Sequence, residues 1–273
     1  MIKTLTAASV AALSLVALPA AAQDWTGFYV GGFAGGVTTS DDSEIVEFDT
    51  NLDGTYGDTV RTGAGADAFS PGFCDGSPKG NNAGAGCTDD KEISGEIGLR
   101  IGYDWQTGPL VAGVVVDASK LESQDSVTAF STTPANYFFQ REVQNLLAVR
   151  VRLGFVAGRF LPYITGGYAS GEIRDTFTSS NTANSFTPAA VNREGDGYQI
   201  GGGVETMITD RISLGAEYIF TDLDADQTVV RVGPGTAPTT NPFLLVNPAG
   251  TNMRRSSDSA ELHSFRVTAA VRF

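Results

Sequence analysis

"SFRVTAAVRF", residues 264–273, ends the chain on an aromatic ring. Phe265, Val267, Ala269, Val271 and Phe273 alternate with Ser264, Arg266, Thr268, Ala270 and Arg272. That is the two-residue period of a strand with one apolar and one polar face. Terminal residues are usually frayed and polar unless something ties them down. The pattern therefore asks what the apolar face is buried against.

The same pattern recurs upstream. Candidate strands lie at 27–37, 92–105, 110–119, 144–156, 161–173, 197–207, 212–223 and 261–273. Each has the length a tilted strand needs to cross a hydrocarbon layer, roughly 10 residues or more, against about 5 or 6 for an ordinary globular strand. Residues 106–109, 157–160 and 208–211 make tight turns, whereas 38–91, 120–143, 174–196 and 224–260 are long and polar. Regular alternation of short and long connections puts all tight turns at one end and all long loops at the other. The expected fold is all-β: an eight-stranded antiparallel up-and-down transmembrane β-barrel with short periplasmic turns and four long external loops.

Strand parity separates the two faces. Ile97, Leu99, Ile101, Tyr103 and Trp105 oppose Glu96, Gly98, Arg100, Gly102 and Asp104; Leu147, Val149, Val151, Leu153 and Phe155 oppose Ala148, Arg150, Arg152 and Gly154. Ile212, Leu214, Ala216, Tyr218 and Phe220 oppose Ser213, Gly215, Glu217 and Thr221, with Ile219 the exception. The polar sets are rich in Gly and in charges of both signs, which suits a narrow interior. The apolar sets end in aromatics, which suits a lipid-facing wall with interfacial girdles. The apolar faces are then turned to lipid, and closure of the last strand on the first leaves no unpaired backbone edge in hydrocarbon. Glu96, Arg100, Asp104, Asp117, Arg150, Arg152, Glu205, Glu217, Arg266 and Arg272 fall on the interior parity. They read either as a plug of paired charges or as the lining of a narrow path for water or small ions. The strands at 27–37 and 161–173 are too Gly-rich for their faces to be assigned.

The N-terminus supplies the compartment. Lys3, the apolar stretch 5–18 and Ala20-Ala21-Ala22 have the form of a Sec-type signal peptide, residues 1–22, leaving residues 23–273 as the mature barrel domain of a Gram-negative outer membrane. The apolar stretch is shorter than the roughly 20 residues of a spanning helix. Thirty-three Gly, 16 Phe and 8 Tyr fit a β-rich chain. The 31 acidic against 18 basic residues argue against a nucleic-acid partner. Cys74 and Cys87 flank a Gly/Asn-rich stretch and, in an oxidising compartment, are expected to close a loop disulfide.

Three segments resemble a known family. "DWTGFYVGGFAGG" (24–36), "YITGGYASG" (163–171) and "GGGVETMITDRISLGAEYIFTDL" (201–223) resemble the porin-family, or opacity-type, outer-membrane β-barrel proteins, which are similar to the OmpA transmembrane domain. The resemblance implies that Phe265, Val267, Ala269, Val271 and Phe273 form the C-terminal signal read by the barrel-assembly machinery. It covers the strands, about half the mature chain, and does not extend to the long first loop.

Few residues suggest chemistry. His263 adjoins Ser264, but neighbours on a strand point to opposite faces, so they are not expected to form a nucleophile–base pair, and no enzymatic activity is expected. Haem ligation by His263 competes with an ordinary rim histidine. Asp49, Asn51, Asp53 and Gly54 match the start of a calcium loop, yet the twelfth position is Val60 rather than Glu; a calcium site and a solvated acidic turn are the two readings. No other cofactor is expected. Loop 38–91 carries 11 acidic against 3 basic residues. It reads as a hydrated surface or as a contact region for an unknown surface ligand, acting directly or through divalent cations. Arg254 and Arg255 are candidates to touch lipopolysaccharide phosphates. With the chain ending on its last strand, no peptidoglycan-binding domain is expected. The sequence favours a structural envelope barrel presenting acidic loops, in contact with outer-membrane lipid and lipopolysaccharide, ahead of a small diffusion channel or a loop-mediated adhesin.

Overall fold

The computed structural model describes residues 24–40, 44–88, 93–188 and 192–273. The signal-peptide segment and residue 92, where one strand was expected to begin, lie outside the described residues. Thirteen strands are described: β1 (Gly27–Thr39), β2 (Val46–Asp49), β3 (Gly72–Asp75), β4 (Ser94–Thr107), β5 (Leu110–Ser131), β6 (Ala135–Phe155), β7 (Phe160–Ser179), β8 (Ser185–Pro188), β9 (Asn192–Met207), β10 (Ile212–Asp224), β11 (Val230–Gly233), β12 (Thr251–Arg255) and β13 (Ser259–Arg272). No described helix is long and apolar enough to cross a membrane.

Eight strands close a ring in the order β1-β4-β5-β6-β7-β9-β10-β13, all antiparallel. The seam is the pairing of first and last strands, from Tyr29↔Arg272 to Thr39↔Leu262, and the Phe273 amide donates to the Phe28 carbonyl at 2.9 Å. Backbone groups at both ends of the chain are thereby paired where no water is present to pair them. The tight turns at 106–109, 157–160 and 208–211 lie at the expected positions.

The long connections differ from expectation. Residues 120–143, read as a polar loop, continue β5 and β6 as one ladder out to Ser131↔Ala135, interrupted by register shifts at Lys120/Ser123 and Val143/Asn145. β5 has 22 residues. At ~3.3 Å per residue it is about 70 Å long, so even tilted it projects well beyond a hydrocarbon core of about 30 Å. The other connections do not form a loose hydrated fringe either. β2, β12, β11 and β8 build a second, four-stranded sheet, while β3 adds to the projecting part of β5. Beneath this cap lies an apolar core containing Phe48, Phe69, Tyr137, Phe139, Phe243 and Met253, with the Phe48 and Phe69 rings 4.4 Å apart. The projecting strands escaped the sequence reading because their outward side chains meet water rather than lipid. Their alternation therefore lacks the aliphatic and aromatic outer face that marks the membrane wall.

Candidate functional site

The barrel interior is stratified along its axis. At the periplasmic end Trp25, Val111, Leu161 and Met207 form a small apolar floor. Above it Arg152 and Arg272 converge on Asp104 and Glu205: Arg152 Nε donates to Asp104 at 2.8 Å, its Nη1 to Glu205 at 2.7 Å, and Arg272 Nη2 to Asp104 at 2.6 Å. The next layer joins Arg100, Arg150 and Arg266 to Glu96, Asp117 and Glu217. Arg266 holds Glu96 through two donors at 2.8 and 2.7 Å. Arg100 lies 3.2 Å from both Asp117 and Glu217, and Arg150 binds Asp117 and, at 3.1 Å, Glu217. The Tyr163 hydroxyl donates to Glu217 at 2.7 Å. All ten side chains expected inside are buried, and five carboxylates face five guanidiniums. The alternating signs let each charge meet its opposite at short range, which offsets the desolvation a lone buried charge would suffer.

Aromatic side chains that the sequence reading did not assign complete these layers. Tyr29 and Phe33 of β1 point inward, stacked by Arg152 and Arg272 at 4.9 and 4.8 Å and by Arg100 and Arg266 at 5.2 and 4.6 Å. Their rings occupy the space over Gly102 and Gly98 of β4, where an added Cβ would meet ring atoms at 2.4 and 2.3 Å. The interior glycines thus make room for rings as well as ion pairs. The available signal was the four-residue spacing of Tyr29, Phe33 and Val37, masked by glycines on both faces of β1.

Above the charges the interior is apolar. Val37, Leu121, Val143, Leu146, Ile173, Leu223 and Leu262 fill the bore from six strands. Beyond them comes a further polar layer. Arg141 and Arg193 share Asp175, Thr228 donates to Asp175 at 2.6 Å, and Arg255 binds Glu44 and Asp125. Burial pushes the Glu44 carboxyl above its ordinary value, against the opposing pull of Arg255. The cap core closes the stack.

The remaining candidates separate. Ser264 is fully buried inside, opposite His263, as strand parity requires. His263 instead meets Ser40, at 3.1 Å from Nε2, and Tyr218, at 2.7 Å from Nδ1, while the Ser40 hydroxyl donates to Glu261 at 2.6 Å. With the Ser40 hydroxyl donating to Glu261, the chain of donors runs Tyr218 to His263 to Ser40 to Glu261 and ties β10 and β13 to the end of β1. Asp49, Asn51 and Asp53 form a closed turn: the Asp49 carboxylate accepts from the amides of Asp53 and Gly54 at 3.1 Å each and from Asn252 Nδ2 at 3.2 Å. No group of three or more His, Cys, Asp or Glu side chains suited to a metal ion occurs among the described residues. Cys74 and Cys87 are joined in a disulfide, with Cα atoms 6.1 Å apart. Arg254 and Arg255, the candidates for lipopolysaccharide phosphates, are engaged with carboxylates within the cap. Arg254 stacks 3.7 Å over Tyr56 and binds Glu47 at 3.0 Å, and Arg255 is 3% exposed. Both are drawn to carboxylates that the cap fold brings alongside them.

The outer wall completes the geometry. Between a lower girdle of Phe28, Tyr103, Trp105, Phe155, Phe160 and Phe273 and an upper one of Tyr168, Tyr198, Tyr218 and Phe265 lies an exposed aliphatic band. A closed antiparallel barrel with this wall and a charge-paired interior is an outer-membrane β-barrel protein, and the outer membrane is where it resides. The chain belongs to the outer membrane protein beta-barrel domain family, whose profile matches residues 8–273. It is 30% identical over 148 residues to the 31 kDa outer-membrane immunogenic protein of Brucella melitensis biotype 1, covering 50% of this chain and 60% of that protein. It is 32% identical over 122 residues to a 22 kDa outer membrane protein of Rhizobium leguminosarum bv. viciae, covering 44% and 49%. The chain thus matches only half to three-fifths of the length of these relatives. Among solved structures it is similar to the outer membrane protein OprG from Pseudomonas aeruginosa, with a TM-score of 0.47 and 12% identity over 91% of this chain and 97% of that one.

Proposed function

We propose that the protein is a closed structural barrel of the outer membrane that presents a folded, acidic extracellular cap, without conducting solutes and without catalysis. The observation that carries this reading is the stacking order of the interior. A path through the bore would have to cross two neutral, mutually paired charge layers and then an apolar layer built from Leu121, Leu146, Ile173, Leu223 and Leu262. A buried ion entering the apolar layer would lose its hydration with nothing to replace it. On this reading the wall contacts outer-membrane lipid and lipopolysaccharide, the C-terminal strand engages the barrel-assembly machinery, and any surface ligand meets the cap.

The test is conductance of refolded residues 23–273 in a planar lipid bilayer. A folded, silent protein is the expected result. Discrete current steps that change when Arg150 or Glu217 is neutralised would overturn the reading in favour of a small diffusion channel.

A further inference from the structure

The outer wall carries a trough of about 1130 Å³ across β1, β4, β5, β6 and β7. Its floor is one row of laterally paired residues: Gly32↔Leu99, Leu99↔Ala118, Ala118↔Leu147 and Leu147↔Ser170. Small side chains on alternate strands leave hollows on either side of the two leucines. Strands of such barrels tilt by roughly 35–45°, so a row running across them climbs the wall. At the β1 end Gly32 and Leu99 lie within the aliphatic band, with Ile97 still above Leu99; at the β7 end Ser170 lies where the wall turns polar, with Glu172 above it. Four inter-strand steps at about 4.8 Å make the trough ~19 Å long.

The polar end is anionic. Glu172 and Glu194 stand directly opposite each other on β7 and β9, and Asp196 stands opposite Ser170 one row lower. Like charges in directly opposed positions destabilise an antiparallel pair. Nearby cations do not relieve this one: Lys120 pairs with Glu122, Arg193 turns inward to Asp175, and Arg174 lies one row higher, opposite Glu142. Among the described residues no basic side chain lies within ion-pair distance of Glu172, Glu194 or Asp196. Asn145 Nδ2 donates to Glu172 at 2.7 Å and the Tyr168 hydroxyl donates to Asp196, so two of the three carboxylates are held in place. The exposed rings of Tyr168 and Tyr198 are paired just below.

We infer, given the barrel's placement in the outer membrane, that this trough binds a phosphate-free lipid with an ammonium head group. The ammonium sits among Glu172, Glu194 and Asp196, and the alkyl chain lies along the row toward Gly32. A cation at the polar end removes the repulsion between the opposed carboxylates, and the faces of Tyr168 and Tyr198 add to its attraction. A phosphate at the same place would meet three carboxylates as a like charge, so phospholipids and phosphorylated glycolipids are turned away. The hollows over Gly32 and Ala118 take the chain without displacing either leucine.

The experiment is native mass spectrometry of the refolded mature chain released from phosphatidylcholine nanodiscs. Separate preparations are doped, at equal mole fraction, with hexadecylamine, hexadecyl sulfate or phosphatidylethanolamine. The parent is expected to retain the amine well above its share and the other two at their share. Retention of the amine should fall about tenfold in E172Q/E194Q, from the loss of the opposed carboxylates. Ala118→Phe, which fills the trough from the lipid side, should lower it as well, whereas E122Q/E142Q, which removes the same charge outside the trough, should leave it unchanged. Folding of each variant is verified by its heat-dependent electrophoretic shift. The inference is overturned if the parent holds the amine only at its bulk share or holds phosphatidylethanolamine as strongly. It is equally overturned if both double variants lose the amine alike, which would mean attraction to a diffuse acidic surface, or if Ala118→Phe retains it like the parent. None of these outcomes bears on conductance, so this assignment and the closed-barrel reading fail separately.

Discussion

At the scale of single residues, Glu217 is the node of the upper charge layer, within 3.2 Å of both Arg100 and Arg150 and accepting from Tyr163. Glu217→Ala leaves buried guanidiniums short of a counter-charge, a change that typically costs ~3–5 kcal/mol. Urea unfolding in detergent micelles, followed by tryptophan fluorescence, is expected to show a clearly lowered midpoint; a variant that unfolds like the parent would remove the role of this layer in holding the barrel. Asp49 supports a second expectation. Its two carboxylate oxygens already accept from two backbone amides and a side-chain amide, so calorimetric titration with calcium should give no heat at millimolar concentrations. The ten interior charges were legible because strand parity alone sets which way a side chain points. The partners of Arg254, Arg255 and His263 were not, because each lies far away in sequence: Glu47, Asp125 and Ser40 are brought close only by the fold.

At the scale of elements, the projecting β5–β6 hairpin and the four-stranded cap form a second folding layer on top of the membrane barrel. Phe69 lies at its centre, with its ring 4.4 to 5.8 Å from those of Phe48, Tyr137 and Phe243. Phe69→Ala should cost about 3–5 kcal/mol of cap stability while leaving the barrel intact. The checking measurement is limited proteolysis: new cuts within 44–88 and 225–258 are expected, with the heat-dependent shift of the barrel unchanged. Replacing Cys74 and Cys87 by Ser should act on the same layer, by about 3 kcal/mol on a chain-entropy account of a loop this size. If the barrel unfolded with the cap in either variant, the two layers would be one cooperative unit.

At the scale of the whole molecule, the alternation of apolar and charged strata explains why an eight-stranded bore of mixed polarity is expected to be closed. Thinning one stratum tests this. Leu121→Ala combined with Leu146→Ala and Leu262→Ala widens the apolar layer while leaving every ion pair in place. The triple variant is expected to remain silent in a planar bilayer, and to conduct only when Glu217 and Arg150 are neutralised as well. Conduction by the triple variant alone would make the apolar layer the sole barrier.

The sequence by itself determined the class of fold, the number of membrane-crossing strands, the inward and outward faces of most of them and the ten charges inside. These follow from a period of two and from connection lengths, which are local properties of a chain in hydrocarbon. Only the tertiary structure decided that the external loops fold into a sheet with its own core, that Tyr29 and Phe33 complete the charge layers, and that Arg254 and Arg255 bind within the cap. Those outcomes depend on contacts between segments more than 200 residues apart, such as Glu47 with Arg254 and Tyr29 with Arg272, which no local pattern encodes.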